Sequence, residues 1–256
     1  LTASNDLADE DGLGTISYQW KRAGTAISGA TSSTYTLVQA DVGSAITVTA
    51  SYTDAQGTAE SSTSAATSAV ANVNDAGTGL SLASDGDVAD PDEDDTLSVT
   101  GTLSDEDGCT GGCSLTYAWS TGASSSTITL GQSDVGSTIS VTLTYSDDQS
   151  ESNSITLTAA SDVDNVNDSP TGAVTITGTA AEDQVLTASN SLADEDVLGT
   201  ITYTWSNGDT GSTTTLGQSD VGNTITVTAS YTDGQGTAES MTSSATTAVA
   251  NVNDAP

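Results

Sequence analysis

The chain has 256 residues, and 35 Asp and Glu against 2 Lys and Arg give it a formal net charge of −33; histidine and phenylalanine are absent. Without histidine there is no Ser/His/Asp or Cys/His arrangement, and Lys21 and Arg22 alone make no basic surface for the phosphates of a nucleic acid. No run approaches the length of an apolar membrane span, and the first residues lack a charged segment followed by an apolar one, so neither membrane insertion nor an export signal is expected within this stretch.

Taken in chain order, the sequence repeats itself. Leu1-Thr-Ala-Ser-Asn5, followed by Leu7-Ala-Asp-Glu-Asp11, returns as Leu186-Thr-Ala-Ser-Asn190, followed by Leu192-Ala-Asp-Glu-Asp196. A segment ending in Tyr18 and Trp20 has counterparts at Tyr117 and Trp119 and at Tyr203 and Trp205. Asp41-Val-Gly43 returns at Asp134 to Gly136 and Asp220 to Gly222, and Asn72-Val-Asn-Asp75 at Asn165 to Asp168 and Asn251 to Asp254. A period of roughly 90 residues is the size of a small β-sandwich and exceeds any solenoid repeat. Boundaries are expected after each Asn-Val-Asn-Asp, giving 1–76, 77–169 and 170–256. Thr171 to Gly178 reads as an opening strand with no counterpart before Leu1, so the first copy is expected to be N-terminally incomplete, a piece of a longer array.

Strict alternation predicts strands at Ile46 to Tyr52 and at the matching Ile139 to Tyr145 and Ile225 to Tyr231, with Ile, Val, Ala or Leu and Tyr facing one way and Thr and Ser the other. One Trp per copy is the expected core anchor. Helical spacing is missing, and Gly, Asp and Asn break the strands every eight to twelve residues, so the fold is expected to be all-β. Thr-rich faces such as Thr47 and Thr49 suggest a flat ice-binding array, but β-propensity explains them without one. Cys109 and Cys113 lack the two further ligands of a zinc site; they read as a local disulfide or, with no cation nearby to activate a thiol, less readily as a redox pair.

The Trp on the third expected strand, with the later Asp-x-Gly-x-x-Ile-x-Val, resembles an immunoglobulin-like sandwich without its corner Tyr or its two core cysteines; Ile46 and Val48, with their counterparts, take those places. Over nearly the whole length, the chain also resembles cadherin repeats and the cadherin-like extender repeats of large bacterial RTX-type adhesins. The carrying residues are Asp9-Glu-Asp11-Gly12 before Ile16-Ser-Tyr18, Tyr52-Thr-Asp54, and the linker Asn72 to Asp75, with Asn251 to Pro256 the nearest linker match although it lacks one Asn. They are similar to the D-x-D-G loop, the later single Asp and the D-x-N-D-N-A-P linker that ligate calcium between cadherin domains. Glycine-rich nonapeptides are absent, so only the extender portion is implied. The resemblance implies an all-β tandem array of three immunoglobulin-like (cadherin-like) β-sandwiches, acting as a non-catalytic extracellular spacer at a bacterial cell surface and stiffened by Ca²⁺. Its partners would be adjacent repeats of the same long chain, while other domains of the parent protein bind a host, surface or biofilm ligand.

In a sandwich of alternating strands, the acids sort to two ends. At the first junction Asp41, Asn74 and Asp75 are expected to meet Asp105, Asp107 and Asp147. At the second, Glu93, Asp94, Asp134, Asn167 and Asp168 are expected to meet Asp194, Asp196 and Asp233. Asp9, Asp11 and Asp54 would face a preceding domain, and Glu182, Asp183, Asp220, Asn253 and Asp254 a following one. Six to eight oxygen donors, without nitrogen or sulfur, suit Ca²⁺. For Asp41, Asp134 and Asp220 a structural corner turn is the preferred reading, and solvated turns are the plain alternative elsewhere. Competing functions are a carbohydrate- or protein-binding module, a filament assembled by strand donation at an open edge, and, ranked last, a paired-carboxylate glycosidase, because the acids recur at boundaries and do not gather in one cleft.

Overall fold

A computed structural model describes residues 1–110 and 112–253 and is all-β, its strands interrupted only by three 3-10 turns among those residues. β1 (Ser17–Arg22), β2 (Thr25–Ala26), β3 (Ile46–Thr53) and β4 (Ala59–Thr63) form one antiparallel sheet in the order β2-β1-β3-β4. Next come β5 (Thr78–Ser84), β6 (Thr96–Ser104), β7 (Thr116–Trp119), β8 (Thr127–Thr129), β9 (Thr138–Ser146) and β10 (Ser152–Asp162), which make sheets β5-β6-β8 and β10-β9-β7. Last are β11 (Val174–Thr177), β12 (Val185–Asn190), β13 (Thr202–Trp205), β14 (Thr213–Thr215), β15 (Val227–Thr232) and β16 (Ala238–Thr242), in sheets β11-β12-β14 and β13-β15-β16.

Two compact units result. Unit 1 holds 1–81, 100–124 and 141–157; unit 2 holds 82–99, 125–140 and 158–256. Their limits fall inside the second sequence repeat and do not coincide with the expected boundaries at 76 and 169.

Period-two alternation builds the cores. Trp20, Trp119 and Trp205 are all buried, as are Ile139, Val141, Leu143 and Tyr145 on one face of β9. In unit 2, Leu186, Trp205, Leu216, Val227, Ala229 and Tyr231 belong to one apolar cluster; removing a side chain the size of Leu186 from water contributes about 2 kcal/mol. Alternation is weaker on β3, where Ile46 and Ala50 are buried but Val48 and Tyr52 are only half-buried. Val48 lines an open cavity with Leu1, Ala3 and Trp20, because Leu1 to Ala3 bond the 33–35 segment along one side only. The Thr-rich outer faces are satisfied across strands: Thr49 bonds Thr63 at 2.9 Å and Thr228 bonds Thr242 at 2.8 Å.

The recurring Asp-Val-Gly is a corner that fixes the direction of the chain into each linker. Asp41, Asp134 and Asp220 close 3-10 turns by accepting the backbone N–H of Val38, Gly131 and Gly217 at 2.9, 3.1 and 2.9 Å. Gly43, Gly136 and Gly222 stand at φ of +75°, +74° and +83°, where a side chain would be strained. Their N–H groups donate to the carbonyls of Val70, Val163 and Val249, each at 2.9 Å. Each linker Asn-Val-Asn therefore begins two residues beyond an anchored valine.

Candidate metal centres

In unit 1 the anchored Val70 delivers the linker onto the Asp105-Glu-Asp107 loop. Asp75 N–H donates to Asp107 Oδ2 at 2.8 Å, and Gln39 Nε2 donates to Asp107 Oδ1 at 2.9 Å and to Asn72 Oδ1 at 3.3 Å. Asn74 Nδ2 donates to Asn153 Oδ1 at 2.9 Å, and Asn153 Nδ2 donates to Asp147 Oδ2 at 2.8 Å. Carboxylate oxygens of Asp105, Asp107 and Asp147 gather within 4.8 Å of one another. Among the expected first-junction residues, Asn74 is thus linked to Asp147 through Asn153, and Asp75 and Asp105 are both bonded to Asp107, while the three carboxylates bring the two sets together.

Asp41 is not among them and closes its own corner, the reading preferred for it from the sequence. Its carboxylate is fully buried, paired with Arg22 at 2.7 Å and accepting Tyr35 Oη–H at 3.0 Å. Burial pushes the Asp41 carboxyl up, but the Val38 N–H, Arg22 and Tyr35 outweigh it and hold the group below its ordinary value.

Unit 2 repeats the design with different acids. Asp168 N–H donates to Asp196 Oδ2 at 2.8 Å, as Asp75 does to Asp107. Asn167 Nδ2 donates to Glu239 Oε1 at 2.9 Å. The carboxylates that converge within 4.8 Å are those of Glu93, Asp168 and Glu195. Glu93 is buried, and that burial, followed by the charges of Asp168, Asp196 and Asp94, raises its pKa despite the Val166 N–H it accepts. Asp194 accepts the N–H of Asp196 at 3.0 Å and the hydroxyl of Tyr231, and Asp233 Oδ1 accepts Gln235 and Thr237 N–H at 2.9 and 2.8 Å. Asp94 turns at φ +67° with its side chain exposed, so it adds charge without joining the converging oxygens. Asp134 serves its own corner turn.

Asp9 and Asp54 adopt the same local turns. Asp9 accepts Asp11 N–H at 2.8 Å and Tyr52 Oη–H at 2.9 Å, and Asp54 accepts Gln56 and Thr58 N–H at 2.9 and 2.7 Å. Asp11 stays exposed, whereas Asp107 and Asp196 are buried beneath their linker N–H donors. Glu182 Oε2 accepts Val252 N–H at 3.1 Å, while Asp183 is exposed and Asp220 closes its corner; Asp254, with the final Ala255 and Pro256, lies outside the described residues. Cys109 and Cys113 are joined by a disulfide just beyond Asp107.

Sequence reasoning missed Gln39, Asn153, Glu195, Glu239 and the hydroxyls of Tyr145 and Tyr231. Recurrence held a usable signal for some of them: Gln stands two residues before each corner Asp, and Tyr two residues before Asp54, Asp147 and Asp233.

All donors in both clusters are carboxylate, amide, hydroxyl or backbone groups, which suits a hard divalent cation. One buried atom gives that fit independent support: Asp233 Oδ2 has no hydrogen-bond partner.

No protein-family model matches the chain, and no curated protein is similar to it. Among solved structures it is similar to a Ca²⁺-stabilized adhesin with which an Antarctic bacterium binds ice, at 18% identity over 97% of this chain and 68% of that one, with a TM-score of 0.30. It is also similar to mouse cadherin-23 EC22-24, at 13% identity over 98% and 90%, with a TM-score of 0.33. A tetra-tandem repeat from the extending region of a large adhesion protein is similar at 23% identity over 92% and 67%, with a TM-score of 0.26.

Proposed function

We propose that this chain is a non-catalytic spacer segment of an extracellular bacterial surface protein, built of three sandwich repeats at 1–76, 77–169 and 170–256 whose joints Ca²⁺ stiffens. The observation that carries the reading is that each acid cluster forms where a linker backbone N–H, from Asp75 or Asp168, lands on a buried aspartate of the next repeat's first acidic loop. Asp105, Asp107, Asp147 and the Asn74 carbonyl would hold the ion in unit 1; Glu93, Asp168, Asp194, Glu195, Asp196 and Asp233, with the Asn167 carbonyl, would do so in unit 2. When bound, the ion supplies neutralising charge and a shared coordination sphere.

The energetics favour such a role. Two like charges 4.8 Å apart repel by about 3.5 kcal/mol at an effective dielectric of 20, and each triad holds three such pairs. A cation at 100 times its dissociation constant stabilises the folded state by about 2.7 kcal/mol, a large share of a small domain's stability. The acids recur at linkers and not in a cleft, which supports a mechanical task over catalysis.

Small-angle scattering and thermal unfolding, in excess Ca²⁺ and after chelation, test this reading. A particle that becomes more flexible and melts at lower temperature on chelation is expected; identical dimensions and midpoints would overturn it.

A further inference from the structure

The two clusters differ in how their carboxylates are satisfied. In unit 1 every oxygen of the triad already accepts a hydrogen bond. Asp105 takes Asp107 N–H and Tyr145 Oη–H at 2.9 and 2.5 Å, and Asp107 takes Gln39 Nε2 and Asp75 N–H. Asp147 Oδ1 takes Gln149 and Glu151 N–H, both at 2.9 Å, and its Oδ2 takes Asn153 Nδ2.

In unit 2 Asp233 holds the place of Asp147, and its Oδ1 is bonded in the same way. Its Oδ2, the counterpart of the oxygen that Asn153 caps, has no donor although Asp233 is only 6% exposed. The reason is one residue: six positions beyond the aspartate stands Glu239 where unit 1 has Asn153. Glu239 still accepts the linker amide of Asn167, as Asn153 accepts that of Asn74, but a carboxylate has no N–H to return to the aspartate. The exchange removes a donor and adds a negative charge. The Asp233 turn is tied to the acidic loop through Gly234 N–H on the Asp196 carbonyl at 2.8 Å, beside the loop that supplies Glu195 to the Glu93 and Asp168 group. An unsatisfied buried carboxylate oxygen is costly unless something positive meets it.

We propose that the unit 2 cluster is the chain's tight divalent-cation site and that the unit 1 cluster is a weak one whose ligands are held by the protein's own amides, with Glu239 and Asn153 setting the difference. This rests on the reading of both clusters as cation sites. Ligand charge count is a main determinant of Ca²⁺ affinity, so the two sites should differ by about tenfold or more, and the joint in unit 1 should keep much of its order without the ion.

The test is calorimetric titration of the full 256-residue chain with Ca²⁺, repeated on Glu239→Asn, Asp233→Asn and Asn153→Glu, each checked for folding by thermal melt. Two affinity classes are expected in the parent chain. Glu239→Asn and Asp233→Asn should each weaken the tight class by about tenfold and leave the weak one in place, while Asn153→Glu should tighten the weak class. A single uniform affinity, or a tight class indifferent to Glu239→Asn, would overturn the asymmetry alone. No Ca²⁺ heat from the parent chain would overturn the cation reading of both clusters. Should Asn153→Glu fail to fold, the two unit 2 variants still decide the matter.

Discussion

The Tyr145 hydroxyl donates to Asp105 Oδ2 at 2.5 Å while accepting Gly77 N–H at 2.8 Å, so one core side chain holds both the acidic loop and the end of the linker. The ring is buried on the apolar face of β9, and only its oxygen reaches the acids. Tyr145→Phe leaves Asp105 Oδ2 and the Gly77 N–H without this partner, which should lower stability by about 1–3 kcal/mol. Gly77→Ala should disturb the same point from the other side, because its Cβ would lie 2.1 Å from the Tyr145 oxygen. Chemical denaturation of both variants measures these losses.

The same hydroxyl sets an alkaline limit. Burial, reinforced by the hydrogen bond to Asp105, raises the Tyr145 pKa from 10.0 to about 12. The folded state therefore keeps its proton where the unfolded chain loses it. That contribution is fully present below pH 10 and is lost as pH rises through 12. Tyr231, whose pKa is raised by burial and by Asp194, acts in the same direction. The stability difference between the parent chain and Tyr145→Phe should thus shrink from pH 10 upward, and a difference constant to pH 12 would remove the tyrosine from this role.

Period-two alternation made the strands and the three Trp anchors legible, since a one-residue slip would have turned each Trp to solvent. The linker segments were legible because Asn-Val-Asn-Asp recurs after each corner motif. The bonds that complete the clusters were not. Gln39 to Asp107 spans 68 positions and Asn167 to Glu239 spans 72, and no local pattern encodes which distant loop a linker will meet. Asp41 was legible as a corner residue because its motif matches those of Asp134 and Asp220, but its pairing with Arg22, which the other two lack among the described residues, was not.

That pair predicts an acid limit. The Asp41 carboxylate accepts bonds from Arg22, Tyr35 and Val38, whereas that of its counterpart Asp134 accepts the Gly131 N–H. Asp41→Asn should cost about 2 kcal/mol at neutral pH by weakening the bonds its buried carboxylate accepts, Arg22 itself staying partly in contact with solvent, and Asp134→Asn about 1 kcal/mol. Because the folded Asp41 pKa lies below the ordinary 3.8, its contribution is present above that value and is lost as pH falls through the folded pKa. Denaturation of the parent chain and Asp41→Asn at pH 7 and pH 3 should show the gap narrowing in acid. Relief of repulsion among the remaining acids is common to both proteins and cancels.

The approach to the Tyr-x-Trp strand is made in two ways. Gly14 and Gly199 stand four residues before Tyr18 and Tyr203, and a Cβ there would lie 2.0 Å from the Thr53 carbonyl oxygen and 1.8 Å from that of Thr232. The second repeat has Cys113 at that place, in a loop three residues longer, closed by the disulfide to Cys109 and held by Thr110 N–H on Asp148 Oδ2 at 2.8 Å. Gly199→Ala should therefore destabilise by more than about 3 kcal/mol, since backbone must move. Reducing the disulfide should cost only about 2 kcal/mol, the loop being so short. Asp105 and Asp107 are held separately by Tyr145, Gln39 and Asp75, so reduction should leave their loop in place. Amide hydrogen exchange with and without reductant decides this: protection of the Asp75 and Asp107 N–H groups should persist while the thermal midpoint falls, and loss of that protection would mean that the disulfide, and not the linker contacts, orders the acidic loop.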